Sequence, residues 1–574
     1  MSAPSRRSSL DSSAQTWLLL GLAAGAAAIA GSIVVAFRLG YGLAGMPLPA
    51  GNWGAVLRGL LSGTVAWPLQ SWIVLASLLV VLAAVATVIV RLVRRGGHQR
   101  IDRAARYMGQ GREILDVTRR GAAAKAARLG IEGSPGVLVG RTVAGGVDLM
   151  TSWEDVGVCI AGPRTGKTTS QVIPAIADAP GAVVTTSNKR DVVDATRALR
   201  AKVGQVWVFD PQGIVDEPAT WWWNPLSFVT NEVKAAQLAK LLSDASRDRS
   251  SRRDAFFDGS AETLLAGFLL AAALERRPFG QVYMWLTDVN DDEPAYLLAK
   301  HGQEKPSASV RQIVSAPEKQ KGGIYGTAQQ IMAFMINDEA MRWVEPAELG
   351  SRPEFSPAEF VRSTGTLYSL SKEGGGSTGP LVTALTVAVT EAAEDYAKTQ
   401  PGGRLARPML LVLDEAANIC RWNNLPDLYS HYGSRGISII TILQSWSQGV
   451  EVWGRDGMQK LWTAANAKLY LGGVDEEQFL AALSQLVGEF EVSARSTSRS
   501  SQGVTNSFQA RRERILDVSD LRAMPRGRAL LLYSGTPAIL VRTVPWMNGP
   551  HAGAIRAAIA GATSPALERT ALPA

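Results

Sequence analysis

The stretch Val156-Gly157-Val158-Cys159-Ile160, followed by Ala161-Gly162-Pro163-Arg164-Thr165-Gly166-Lys167-Thr168, constrains this chain more than any other. A short apolar run of this kind reads as a buried strand, and the segment after Thr168 can continue as a helix. Between them lies a loop of small residues. Such a loop lets successive backbone N–H groups curl around a negative group, and the start of the helix adds the positive end of its dipole. The stretch therefore reads as a phosphate-binding loop with Ala161 in place of the usual first glycine. Gly162, Pro163, Arg164, Thr165, Gly166, Lys167, Thr168 and Thr169 would cradle the phosphates of ATP. Lys167 would reach the β- and γ-phosphates, and the Thr168 hydroxyl would ligate Mg2+. The competing interpretation is a surface turn that happens to end in Gly-Lys-Thr. The preceding strand, together with an acidic motif downstream, weighs against it.

That second motif is Met409-Leu410-Leu411-Val412-Leu413-Asp414-Glu415. A continuous aliphatic run bounded by Pro408 and ending in two carboxylates predicts a central parallel strand. Ligands of doubly wound sheets gather at the carboxyl ends of such strands. Asp414 is the expected Mg2+ ligand, and Glu415 the group that polarises the water attacking the γ-phosphate. An acidic pair also suits the first turn of a helix starting at Ala416, but capping leaves the five apolar residues before it unexplained. The two motifs are expected to meet across adjoining strand ends, and together they predict ATP binding and hydrolysis.

Charge is distributed unevenly along the 574 residues. Residues 1–106 hold ten arginines, no lysine, and only Asp11 and Asp102 as acids, so the whole formal excess of +8 lies there. The rest of the chain is formally neutral, which removes bulk charge as an argument for nucleic-acid binding. Cys159 and Cys420 give no disulfide framework, and the histidines at 98, 301, 431 and 551 have no metal-site spacing.

The basic excess flanks two uncharged apolar segments, 17–37 and 72–90. Each approaches the ~20 residues a helix needs to cross a bilayer. The run Arg91-Leu92-Val93-Arg94-Arg95 marks a cytoplasmic face, and Arg6 and Arg7 put the N-terminus on the same side. The loop 39–71 carries only Arg58, with Trp53 and Trp67 available for the outer interface. Residues 1–95 are thus expected to form a two-helix transmembrane hairpin, with Gly21 and Gly25 as a weak small-residue packing pair. Both termini would be cytoplasmic in a multi-pass protein.

Residues 96–150 read as a juxtamembrane connector with a first strand pair near Gly136–Gly140. Strands recur at 181–186 and 205–209, the spacing of a parallel α/β sheet. From 232 to 355 the periodicity turns helical, and the strand pattern resumes near Thr366. The nucleotide-binding domain is therefore expected over 151–231 and 356–548, with an all-α insertion at 232–355. The Ser/Arg-rich segment 488–514 is expected to be an exposed, flexible excursion, and the Ala/Pro-rich end, 549–574, a disordered tail.

With these residues in view, the chain resembles the membrane-anchored coupling ATPases of type IV secretion and conjugation, the TraG/TraD family. The resemblance runs through Pro163–Thr168, Phe209-Asp210-Pro211-Gln212-Gly213, Trp223-Asn224-Pro225-Leu226, Leu413–Ile419, Arg435-Gly436 and Gln444. It implies a RecA-like P-loop domain with an inserted all-α domain, assembled as a homo-hexamer at the inner membrane. It also implies partners: single-stranded, relaxase-bound DNA taken without sequence preference, and the components of a type IV secretion channel. The chain departs from the family where members often carry Asp-x-Lys-Gly-Glu. It has Ser187-Asn188-Lys189-Arg190-Asp191 instead, and no role carries over to those residues.

Two further site residues rest on geometry and resemblance together. Gln444 ends the apolar strand 437–443, where a neutral amide can sense the γ-phosphate without repelling it; its alternative is a helix cap. Arg435 fits an arginine finger acting on a neighbouring subunit's site, or else a solvated arginine. For DNA, the arginines at 247, 249, 252 and 253 and those between 495 and 514 are candidates, although Asp244, Asp248 and Asp254 nearly cancel the first group. A chromosome-pumping translocase of the FtsK/HerA kind and a catalytically silent membrane receptor are the alternative functions. The long helical insertion disfavours the former, and the intact Lys167, Thr168, Asp414 and Glu415 the latter.

Overall fold

The computed structural model describes residues 10–49, 53–95, 100–246, 254–346, 352–372, 378–500 and 503–562. The chain divides into two compact units, residues 1–98 and 99–574.

The first unit is helical, with helices Leu10–Leu43, Trp53–Leu61 and Leu69–Arg95. The first and third extend beyond the expected spans at both ends and contain the windows Gly25–Leu43 and Leu69–Thr87, long and apolar enough to cross a membrane. They touch at Gly40, where an added Cβ would fall 2.0 Å from Ser71 Oγ. Gly25, one of the expected packing pair, has nothing within 4 Å of that position. Phe37 gathers Tyr41, Trp53 and Trp67 around it, with ring centroids 4.6, 5.5 and 5.6 Å away.

The second unit is built on strands β1 (Val137–Thr142), β2 (Asp148–Thr151), β3 (Gly157–Ile160), β4 (Val183–Ser187) and β5 (Val206–Phe209). After the insertion come β6 (Thr366–Leu370), β7 (Met409–Leu413), β8 (Ile437–Leu443) and β9 (Ala467–Tyr470). The last four are β10 (Glu489–Ser500), β11 (Gly503–Arg514), β12 (Arg528–Tyr533) and β13 (Ile539–Arg542). Eleven of them form one sheet in the order β2-β1-β13-β12-β9-β3-β8-β7-β4-β6-β5. The pairs from β9 through β3, β8, β7, β4 and β6 to β5 are parallel, and every residue of β4, β6 and β7 is buried. Burial on both faces is why these strands read as unbroken apolar runs.

Three expectations need correction. The strand pair β1–β2 is no separate connector, because it extends the antiparallel edge of the same sheet through β13. The segment expected as a flexible excursion holds an antiparallel ribbon, β10 on β11, from Glu489 opposite Arg514 to Ser500 opposite Gly503. The end of the chain carries a helix, Ala552–Gly561, with Ile555 buried against Ile173 and Ala195 and His551 bonded to Asp178 at 2.8 Å. Its alanines favour a helix, and Ile555, with Leu199 and Trp546 packed beside it, docks that helix. Residues 563–574 of the expected tail lie outside the described residues.

The insertion consists of helices from Glu232–Ser246 to Asp338–Met341. Its two ends meet: Phe355 N–H donates to the Trp222 carbonyl at 2.7 Å, and Trp223 N–H to that of Trp343 at 2.9 Å. Trp221 packs edge-on against Trp343 and beside Phe355, with centroids 5.5 and 5.3 Å away, which joins the insertion to β5 through Trp207. The insertion's longest helix, Ala255–Leu274, also has the length and apolarity of a membrane span. Leu264, Leu265, Phe268, Leu269 and Ala272 are buried in the protein core, so its apolarity is used in core packing.

Candidate nucleotide site

The loop after β3 is held open by close backbone packing. Gly162 N–H donates to the Gly472 carbonyl at 3.0 Å, and a Cβ on Gly162 would lie 1.9 Å from the Gly473 oxygen. Gly162 is thus the position that cannot carry a side chain. Ala161, the residue in the usual first-glycine place, is fully buried, with its N–H on the Leu443 carbonyl at 2.9 Å. Gly166 takes φ 93°, and Arg164, exposed, takes φ 59°. The chain then enters a single wide π-type turn, Thr168–Val172, before the helix Ile173–Asp178. Pro174 has no N–H to donate, and its ring would crowd a tighter turn.

Lys167, expected to reach phosphates, points at the acidic pair. Its Nζ lies 2.9 Å from Asp414 Oδ1 and 3.0 Å from Glu415 Oε1. The two motifs therefore meet, with one correction: their strands do not adjoin, because β8 lies between β3 and β7. The register sets Ile160 opposite Leu443, and Leu413 opposite Thr441, so all three strands end at one edge.

Burial opposes the Lys167 charge, but the two carboxylates outweigh it and hold the ammonium's pKa above that of an ordinary lysine. Burial raises the pKa of Asp414, Lys167 opposes the rise, and neighbouring Glu415 adds to it. Two buried carboxylates against one ammonium make this edge a cation-seeking site. Among the described residues no three His, Cys, Asp or Glu side chains cluster as a metal cage. A Mg2+ bound here would draw its remaining ligands from phosphate and water, as that ion generally does.

Glu415 has a left-handed backbone, φ 55° and ψ 43°. For a residue with a Cβ this costs of order 1–3 kcal/mol and concentrates at functional sites. Asn188, given no role from the sequence, donates from Nδ2 to Glu415 Oε2 at 2.8 Å. Thr186 Oγ1 donates to the Asp414 carbonyl at 3.1 Å, tying β4 to the end of β7.

Gln444 stands half-buried at the end of β8, between the two motifs. The cap of the helix after it is Ser445, whose Oγ accepts from Gln448 N–H at 3.2 Å, so capping does not account for Gln444. Arg435 lies at the other end of the same strand, beneath roughly 25 Å of extended chain, and is remote from Lys167 in its own subunit. Of the DNA candidates, 247, 249, 252 and 253 lie outside the described residues, and 495–514 fall on the ribbon.

Residues 408–526 match a family model described as the TraM recognition site of TraD and TraG. Over that segment the chain is similar to TraD and TraG. The matched segment begins at β7 and so contains Asp414, Glu415, Arg435 and Gln444, but not the phosphate loop. In fold, the chain is similar to the bacterial conjugative coupling protein TrwBdeltaN70 in its unbound form. The match has 18% identity and TM-score 0.54, over 76% of this chain and 95% of that one. It is also similar to TrwB in complex with ADP and Mg2+, at 18% identity and TM-score 0.53, over 76% and 96%. A third similar structure is TrwB with a non-hydrolysable ATP analogue, at 17% and 0.53, over 74% and 93%. No curated protein matches the chain in sequence.

Proposed function

We propose that this protein is an ATP-dependent coupling protein that recruits DNA and drives its export through a type IV secretion or conjugation apparatus. The observation that carries the reading is the Lys167–Asp414–Glu415 cluster at the common end of β3, β8 and β7. The residues fit a nucleotide with its Mg2+. Arg164 to Thr169 offer backbone N–H groups, from a loop whose entry at Gly162 is packed against Gly473, and Thr168 and Asp414 offer oxygens. A bound magnesium triphosphate would supply the electrophilic phosphorus and neutralise developing charge. Lys167 exchanges its carboxylate partners for phosphate oxygens, Glu415 takes a proton from water at a carboxylate oxygen, and Gln444 lies where a γ-phosphate is sensed. TrwB, similar in fold, is known with ADP and Mg2+ and with an ATP analogue.

The remaining assignments extend this reading. Helices Leu10–Leu43 and Leu69–Arg95 anchor the chain in the inner membrane as a multi-pass hairpin, with both termini cytoplasmic. Arg435, at the opposite end of β8 from Gln444, acts in the neighbouring subunit's site, in keeping with a homo-hexamer. Single-stranded DNA, bound without sequence preference and relaxase-linked, is the cargo. The full chain in detergent or nanodiscs tests the reading. It is expected to hydrolyse ATP only with Mg2+, faster with single-stranded DNA, the stimulation fading as salt rises. Absence of Mg2+-dependent turnover contradicts the proposal.

A further inference from the structure

Glu415 is gripped at both carboxylate oxygens by donors of different kinds. Oε1 accepts from the charged Lys167 at 3.0 Å, and Oε2 from the neutral Asn188 at 2.8 Å. Asn188 directly follows β4, the strand hydrogen-bonded to β7 from Val183 opposite Leu410 to Thr186 opposite Leu413. Its carboxamide is thus anchored to the same rigid strand pair that presents Glu415. At φ 55° the Glu415 backbone is in a conformation its surroundings must enforce.

We infer that Asn188 is the positioning residue of Glu415, fixing Oε2 so that Oε1 is the oxygen that meets the attacking water. The inference rests on the ATPase reading above and adds a residue to it. The two donors differ in what phosphate does to them. An ammonium is drawn toward the phosphates of a nucleotide, which releases Oε1. A carboxamide has no charge to be drawn, so its bond to Oε2 persists. Resemblance gave Asn188 no role, and the contact with Glu415 supplies one.

The test is ATP turnover by the full chain in detergent, comparing wild type with N188A, the near-isosteric N188D and N188Q. N188A is expected to lower kcat about ten- to hundred-fold, the scale of a misoriented catalytic group, with KM for ATP changed less than twofold. N188D removes the donor and puts a carboxylate against Oε2, so it is expected to lower kcat at least as far as N188A, again with KM changed less than twofold. N188Q keeps a carboxamide donor and should recover part of the loss, a rescue that a merely structural role does not produce. If N188A fails to fold, N188D and N188Q carry the test. Unchanged kcat in N188A and N188D, a rise in KM matching the fall in kcat, or no recovery in N188Q overturns the assignment. If wild type turns over ATP but the Asn188 variants match it, only this inference falls; if wild type has no turnover, the ATPase reading falls and takes the inference with it.

Discussion

Gly162 and Gly473 meet backbone to backbone, so closely that a Cβ on the first would lie 1.9 Å from the carbonyl oxygen of the second. The contact joins the phosphate loop to the segment following β9. That segment's Glu476 in turn accepts N–H bonds from Trp446 and Ser447, both at 2.9 Å, at the helix start beyond Gln444. The loop, the residue proposed to sense phosphate and the strand between the motifs thus share one backbone framework.

The G162A variant should therefore push the loop off Gly473. We expect a loss of about 1–3 kcal/mol in stability, the usual cost of overpacking, together with loss of ATP binding. A161G, one position earlier, should bind ATP nearly as wild type. Isothermal titration with a non-hydrolysable ATP analogue distinguishes the two.

Removing the ammonium of Lys167 strands two buried carboxylates. K167A should lose nucleotide binding and be destabilised by about 3–5 kcal/mol near neutral pH, as for a broken buried pair. The sign of its pH dependence follows from Asp414. A carboxyl whose folded pKa is raised above its unfolded value favours folding below the unfolded pKa, and that contribution is lost as pH rises through the folded one. Without Lys167 the rise is larger, so the K167A deficit should shrink as pH falls from 7 toward 4. Denaturant unfolding of wild type and K167A across that range measures it.

How far the sequence reached is clear from particular residues. The strands around Cys159 and Leu411 were legible because burial on both faces leaves an unbroken apolar run, and each motif ends such a run. That β8 lies between them was not, since strand order is set by crossover connections and leaves no local trace. The ribbon 489–514 escaped because its apolar alternation, Phe490-Glu491-Val492-Ser493-Ala494, is short and gives way to a Ser/Thr/Arg run. Asn188 escaped for a different reason. Its partner, Glu415, is 227 residues away, and a single carboxamide after a strand carries no pattern.

Arg435 stands at the far end of β8 from Gln444, so any part it plays in hydrolysis must be played across a subunit boundary. R435A alone and K167A alone should both be inactive. Mixed oligomers should regain part of the activity, because some interfaces then pair an intact loop with an intact arginine. ATPase assays over a range of mixing ratios check this. No recovery at any ratio argues against an arginine acting in trans.

The most direct measurement follows ATP hydrolysis and DNA transfer side by side in E415Q, which keeps the shape of Glu415 and removes its basicity. The account predicts retained ATP binding, hydrolysis lowered about 10²- to 10⁴-fold, and transfer lost with it. Transfer at the wild-type level despite abolished hydrolysis would contradict the account and leave the chain a membrane receptor rather than a motor.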